Sequence, residues 1–240
     1  MNAAAEGEGA LIIIPTYNEI ENLEPLTREV LRRLPRAHLL VVDDDSPDGT
    51  GDMAERLAGE DGRVHVLHRE GKLGLGTAYI AGFRWGLERG YRYFVEMDAD
   101  FSHDPRYLPD MLCAAQDHDL VIGSRYVAGG GTERWGLVRR LLSRGGSLYS
   151  RTILGIPIRD VTGGFKCFRR EALEAIDLGA IRSRGFGFQV EMNYRAVRLG
   201  LRIREIPIVF PDRTRGDSKM SSRIFCEALV NVWKIRLMRD

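Results

Sequence analysis

Short apolar runs alternate with amphipathic stretches through the first half of this chain, and that alternation restricts its fold more than any other feature. Ala10 to Ile14, His38 to Val42, Arg63 to Leu67, Tyr91 to Met97 and Leu120 to Gly123 read as strands. Ile20 to Leu34, Asp48 to Ala58, Leu75 to Arg89 and Pro105 to Gln116 read as the helices between them. A βα succession of this kind winds into a mostly parallel, Rossmann-like α/β sheet flanked by helices. Such sheets receive their ligands beyond the carboxyl ends of the strands. Three polar clusters fall on that edge: Pro15-Thr16-Tyr17-Asn18-Glu19, Asp43-Asp44-Asp45-Ser46-Pro47-Asp48-Gly49 and Asp98-Ala99-Asp100.

After Ser124 the alternation loosens. A glycine-rich loop, Gly129 to Gly131, leads to a basic helical stretch from Glu133 to Leu154, then a strand around Gly164 to Phe168. Phe186 to Leu199 reads as helix, Leu201 to Phe210 as strand and Ser221 to Met238 as a last helix. There Ile224, Phe225, Ala228, Leu229, Val232, Trp233, Arg236 and Leu237 fall largely on one face, which suits either packing on the domain or lying on a membrane interface. The expected organisation is a flexible tail over 1–9, one domain over 10–220 and an amphipathic helix over 221–240. Within the domain, 10–124 would form a nucleotide- and metal-binding half and 125–220 an acceptor-binding half.

The net charge of +1 hides an asymmetry: residues 1–124 carry 12 Lys+Arg against 23 Asp+Glu, and residues 125–240 carry 23 against 11. An acidic half followed by a basic one suggests a metal on one side and phosphates or an anionic membrane surface on the other. The arginines are dispersed among apolar segments without a nucleic-acid-binding motif, so no nucleic acid partner is expected. The acidic start lacks the features of a signal peptide, and no apolar run approaches the roughly 20 residues of a bilayer span. Cys113, Cys167 and Cys226 are odd in number and have no histidine at metal-ligand spacing, as in a reduced cytosolic protein.

Asp98 and Asp100 stand one residue apart at the end of an apolar strand. In an extended segment both point the same way, so they can converge on a hard cation, Mg²⁺ or Mn²⁺, set against a diphosphate. Tyr17, Glu19 and Asp44 supply an aromatic face and acceptor carboxylates, which suit a nucleobase and its ribose. Neither Gly-x-Gly-x-x-Gly nor a Walker loop follows the first strand; Gly71-Lys72-Leu73-Gly74-Leu75-Gly76 reads as a loop and helix start.

Taken together these residues resemble the inverting glycosyltransferases of family 2, which have the nucleotide-sugar-binding GT-A fold. Gly123-Ser124-Arg125-Tyr126, Arg139 with Ser143, Thr162-Gly163-Gly164-Phe165 and Arg213 to Lys219 narrow the resemblance to the dolichyl- and polyprenyl-phosphate mannose synthases. The resemblance implies that Pro15, Tyr17, Glu19, Val42 and Asp44 hold the guanosine of GDP-mannose and that Asp98 and Asp100 hold its metal. It places Ser102 where some relatives carry a metal-coordinating glutamine. It implies that Arg125, Arg139 and Ser143 bind the phosphate of dolichyl or polyprenyl phosphate, and that Arg213 and Lys219 lie on a basic loop closing near the diphosphate. Glu191 matches an acidic position near the acceptor and is expected to help position it.

A phosphomonoester is already largely ionised near neutral pH, so such a reaction needs no general base. Inversion at the anomeric carbon would give a β-mannosyl phosphate. The resemblance is to members lacking transmembrane helices, which implies a peripheral protein on the cytoplasmic face of a membrane. The lipid would be reached through the basic half, the last helix or a small membrane partner subunit. Rival readings are a UDP-glucose or UDP-N-acetylhexosamine donor on the same fold, a metal-dependent nucleotidyltransferase, and a non-catalytic nucleotide-binding subunit at the membrane.

Overall fold

The computed structural model describes residues 3–183, 185–211 and 222–238. Four βα units and a fifth strand come first: β1 (Ala10–Thr16), α1 (Ile20–Arg33), β2 (His38–Asp43), α2 (Thr50–Glu60), β3 (Val64–His68), α3 (Leu75–Glu88), β4 (Tyr93–Glu96), α4 (Leu108–Ala114) and β5 (Leu120–Ser124). There follow β6 (Gly131–Thr132), α5 (Leu137–Leu154), β7 (Lys166–Arg169), α6 (Arg170–Ala175), α7 (Phe186–Arg198), β8 (Ile203–Pro207), β9 (Val209–Phe210) and α8 (Ser222–Arg236). One seven-stranded sheet runs in the order β3-β2-β1-β4-β7-β5-β8, and β6 pairs with β9 apart from it. Every ladder of the large sheet is parallel except the two made by β7.

The period of the strands explains the layers. Along β1, Ile12 and Ile14 enter one apolar cluster with α1, α2 and α4, while Leu11 and Ile13 enter the other with α3 and α7. A central parallel strand is buried on both faces, and Ala10 to Ile14 are fully buried accordingly. In α1 the buried residues Leu23, Leu26, Thr27, Val30 and Leu31 follow the helical period. Two glycines let α3 approach the sheet: a Cβ on Gly82 would lie 2.6 Å from Ile13 Cγ2, and one on Gly86 2.6 Å from both Leu11 and Phe94.

Several expectations are corrected. Residues 3–9 form turns docked on the domain, with Arg36 N–H donating to the Glu6 carbonyl and Gly7 packed against Ala37, instead of a loose tail. The helix expected from Glu133 begins at Leu137, because Gly131 and Thr132 pair with β9 and Gly136 is extended. The strand expected over 201–210 is two short strands in different sheets. In α8 the stripe read from sequence divides: Val232 is buried while Trp233 and Leu237 are 51% and 74% exposed, and Ile235, outside the stripe, is buried too. Neither Cys113 nor Cys167 forms a disulfide among the described residues, and the Cys226 side chain lies outside them.

Candidate active site

The loops after β1 and β2 are tied together by short polar side chains. Asp43 accepts from Thr16 Oγ1 at 2.8 Å, from Ser46 Oγ at 2.6 Å and from Ser46 N–H at 3.1 Å, and Ser46 Oγ accepts from Asn18 N–H at 3.1 Å. Asp48 holds Thr50, whose hydroxyl accepts from Glu19 N–H at 3.0 Å. Asn18 and Asp45 take positive φ values of 61° and 57°, which these two residue types tolerate better than most. Much of the acidic Asp43 to Gly49 segment is therefore scaffolding.

The carboxylate left facing the site is Asp44. It lies 3.0 Å from Arg69 Nε, and both side chains are 8% exposed. Burial pushes the Asp44 carboxyl up and the Arg69 guanidinium pulls it back. Arg69 also donates to Thr77 Oγ1 at 2.9 Å, yet its Nη1 and Asp44 Oδ1 are buried without hydrogen bonds. Beside them Lys72 Nζ sits 3.9 Å over the ring of Tyr17. Pro15, Tyr17 and Glu19 are partly exposed on this edge, with Glu19 accepting from Asn22. Val42 is not: its side chain lies in the core cluster with Leu11 and Ile13, because it points to the interior side of the strand.

β4 ends at Glu96, so Asp98-Ala99-Asp100 occupies a turn beyond the strand rather than an extended segment. Strand alternation therefore does not set the direction of the pair. The turn is fixed by Phe101 at φ 60°, by Ser102 N–H donating to Asp100 Oδ1 at 3.0 Å, and by Tyr79 Oη donating to Asp98 Oδ1 at 3.3 Å. Both carboxylates stay partly open, and the buried Ser102 Oγ has no partner. Two carboxylates and a hydroxyl are hard oxygen donors, a set that fits a Mg²⁺- or Mn²⁺-like cation sharing its shell with phosphate and water. Among the described residues no cluster of three or more His, Cys, Asp or Glu side chains could enclose a metal on its own.

Directly beneath, Glu96 and Lys166 face each other across the β4–β7 ladder, both fully buried. Gln189 bridges them: its Nε2 donates to Glu96 Oε2 at 2.8 Å, and its side-chain oxygen accepts from Lys166 Nζ. Burial pushes Glu96 up to about 7 against the pull of Lys166, and burial pushes Lys166 down to about 8.

On the basic side, Arg125 is spent largely on the protein. Its Nε and Nη2 grip Asp160 at 2.7 and 2.6 Å, Nη2 reaches Thr162, and the rings of Tyr126, Trp135 and Phe210 surround the guanidinium. Arg139 lies 4.0 Å over Trp135, and Ser143 accepts from Tyr126 Oη at 2.6 Å. Arg125 also lines a small cleft with Tyr126, Gly131, Thr132, Arg140 and Arg144. Glu191, expected near the acceptor, is instead fully buried and committed to Ser183 N–H at 2.9 Å, Arg182 N–H and Arg195, so it secures the 180–183 segment. Arg213 and Lys219 lie outside the described residues.

The sequence reading missed Arg69, Asp160, Lys166, Gln189 and His103. Lysine within the apolar run Phe165 to Phe168 was the one visible signal, since a charge there must find a buried partner.

Residues 11–177 match the protein-family model described as Glycosyl transferase family 2. The chain belongs to that family. The transferase is 58% identical over 223 residues to the undecaprenyl-phosphate mannosyltransferase of Micrococcus luteus, covering 92% of this chain and 91% of that one. It is 51% identical over 230 residues to the polyprenol monophosphomannose synthase of Mycolicibacterium smegmatis, covering 94% and 87%. Among solved structures it resembles glucosyl-3-phosphoglycerate synthase from Mycobacterium tuberculosis in complex with Mn²⁺, UDP and glucosyl-3-phosphoglycerate. That match has a TM-score of 0.69 at 20% identity and covers 99% of this chain and 83% of that one. The transferase thus has the GT-A fold, and the loops after β1, β2 and β4 lie on the edge where such sheets take their ligands.

Proposed function

We propose that this transferase moves mannose from GDP-mannose to a polyprenyl phosphate, inverting the anomeric centre and releasing GDP. The observation that carries the reading is the pairing of two partly open carboxylates, Asp98 and Asp100, with an arginine-lined wall on the same domain. The names of both close relatives, each matched over most of its length, support mannose as the sugar and a polyprenyl phosphate as the acceptor.

At the proposed base site, the Asp44 carboxylate, held by Arg69 Nε, can accept, and Arg69 Nη1 is a donor without a hydrogen bond in the protein. Guanine presents N1–H beside O6, the complementary order, whereas adenine and cytosine present the reverse. Uracil presents the same imino N–H beside a carbonyl oxygen, so this pair favours guanine and uracil over adenine and cytosine, and the sugar points to GDP. Tyr17 offers its ring to the base once Lys72 moves aside. A divalent cation held by Asp98 and Asp100 would supply positive charge against the departing diphosphate. Arg125, Arg139 and Ser143 would orient the acceptor phosphate, with Asp160 and the aromatic wall fixing Arg125 in advance of binding. No side chain is asked to remove a proton from a phosphate that is already anionic.

Access to a lipid is supported by α5. Leu137, Val138, Leu141, Leu142 and Leu148 are each 45% exposed or more, and Arg139, Arg140 and Arg144 flank them on the same helix. Val230, Trp233 and Leu237 of α8, which packs against α5, are exposed apolar side chains as well. Among the described residues no helix is long and apolar enough to cross a membrane. An apolar face bordered by arginines suits peripheral docking on an anionic bilayer.

Two measurements test this reading. Competition of GDP, UDP and ADP for the purified chain with Mn²⁺ is expected to rank GDP first and ADP last; ADP binding as tightly as GDP contradicts it. The mannosyl-phosphate product is expected to be β-linked by NMR, and an α-linkage contradicts inversion.

A further inference from the structure

Asp98 opens the acidic turn, and its backbone N–H donates to Nδ1 of His103 at 2.9 Å. An imidazole nitrogen that accepts a hydrogen bond carries no hydrogen, so the ring hydrogen resides on Nε2. That nitrogen faces Oδ2 of the same aspartate at 3.9 Å. The histidine is 2% exposed, and its ring is stacked on Phe165 with centroids 4.8 Å apart and planes 7° from parallel. Phe210 meets the ring edge-on at 5.7 Å and fixes it from a second direction. The left-handed backbone at Phe101 turns the chain back so that residue 103 returns to residue 98. A Cβ on Gly164 would lie 3.5 Å from this ring, so the Thr162 to Phe165 segment closes over it.

We infer that His103 is a positioning residue for the acidic pair: its Nδ1 tether to the Asp98 backbone sets the direction in which the Asp98 carboxylate is presented. The inference rests on the reading of Asp98 and Asp100 as the residues that hold a divalent cation. Groups behind a ligating carboxylate tune affinity as well as orientation, and losing one lowers metal affinity by about 10- to 100-fold. The same imidazole reaches the basic side, since Phe210 also meets Trp135 edge-on at 5.6 Å and lies 5.4 Å from the Arg125 guanidinium. His103 thus joins the acidic turn to the wall that carries the arginine.

The test compares two polar replacements that lose the ring equally. Asparagine places an amide oxygen close to the position of Nδ1 and can accept from Asp98 N–H. Glutamine reaches toward the position of Nε2 and leaves that N–H without an acceptor. The purified full-length chain is titrated with GDP by calorimetry across a series of Mn²⁺ concentrations and without metal, and thermal melting is recorded for each variant. His103→Gln is expected to raise the half-saturating Mn²⁺ about tenfold or more, and His103→Asn to stay within about threefold of the wild type. The two variants are expected to melt close together and to bind GDP alike without metal. Equal half-saturation in the two variants overturns the inference by reducing the histidine to packing, and so does a glutamine variant that matches the wild type. Absence of Mn²⁺-stimulated GDP binding in the wild type overturns instead the reading of the acidic pair.

Discussion

Arg125, proposed to orient the acceptor phosphate, is held in place by the protein itself. Asp160 takes two of its guanidinium nitrogens and its backbone N–H, and three aromatic rings limit its motion. The pair is buried, with side-chain exposures of 8% and 0%, so removing one partner strands the other charge. Asp160→Asn is expected to destabilise the protein by about 3 kcal/mol in urea unfolding and to raise the acceptor KM while the donor KM stays near the wild-type value. A loss of stability with both KM values unchanged would make Asp160 purely structural. Arg69 and Asp44 form the same kind of buried pair at the proposed base site. Arg69→Met is expected to weaken GDP binding, measured by calorimetry, and to leave discrimination against ADP diminished.

The α5 helix and the last helix divide the membrane question between them. Leu141 and Leu142 are 62% and 45% exposed on α5, whereas Val232 and Ile235 of α8 are in the core. Leu141→Glu with Leu142→Glu is therefore expected to reduce co-sedimentation with anionic vesicles with little change in melting temperature. Val232→Ala is expected to lower the melting temperature, by about 2 kcal/mol in stability, while vesicle binding persists. The reverse pattern would place docking on α8 alone. Sequence periodicity was a good guide to α1 and α3, because each has one side against the sheet and a helical repeat of buried residues; α7 is buried all round over residues 187–194 and shows no such repeat. It was a partial guide to α8, where Val232 of the repeat is buried, Trp233 and Leu237 of the same repeat face outward, and Ile235, outside the repeat, is 1% exposed. Tertiary packing against α5 and α7 selects that face, and a single helix in isolation does not carry the information.

Across the whole molecule, the acidic and basic halves meet at β4 and β7, where Glu96, Gln189 and Lys166 join strands from both. Burial raises the Glu96 pKa from 4.5 to about 7, so the folded state keeps a proton there that the unfolded chain releases. This group's contribution is complete below pH 4.5 and is lost as pH rises through about 7. Relative to Glu96→Gln, the wild type is expected to lose stability between pH 5 and pH 7 in urea unfolding; a pH-independent difference contradicts that assignment. The three polar strand ends were legible in sequence because chemistry-bearing residues interrupt apolar runs at equivalent places. The antiparallel insertion of β7 and the partners Asp160, Gln189 and His103 were not, because each depends on contacts distant in sequence or on the bend at Phe101.

The most direct test of the central claim is transfer itself. Purified protein, Mn²⁺ and a short polyprenyl phosphate are combined separately with GDP-mannose, UDP-glucose and UDP-N-acetylglucosamine, and lipid-linked sugar is followed by mass spectrometry. The account predicts mannosyl-phosphate lipid from GDP-mannose alone, abolished in Asp100→Ala and strongly reduced in Arg139→Ala. Product from a UDP sugar in place of GDP-mannose, or undiminished transfer in Asp100→Ala, would contradict it.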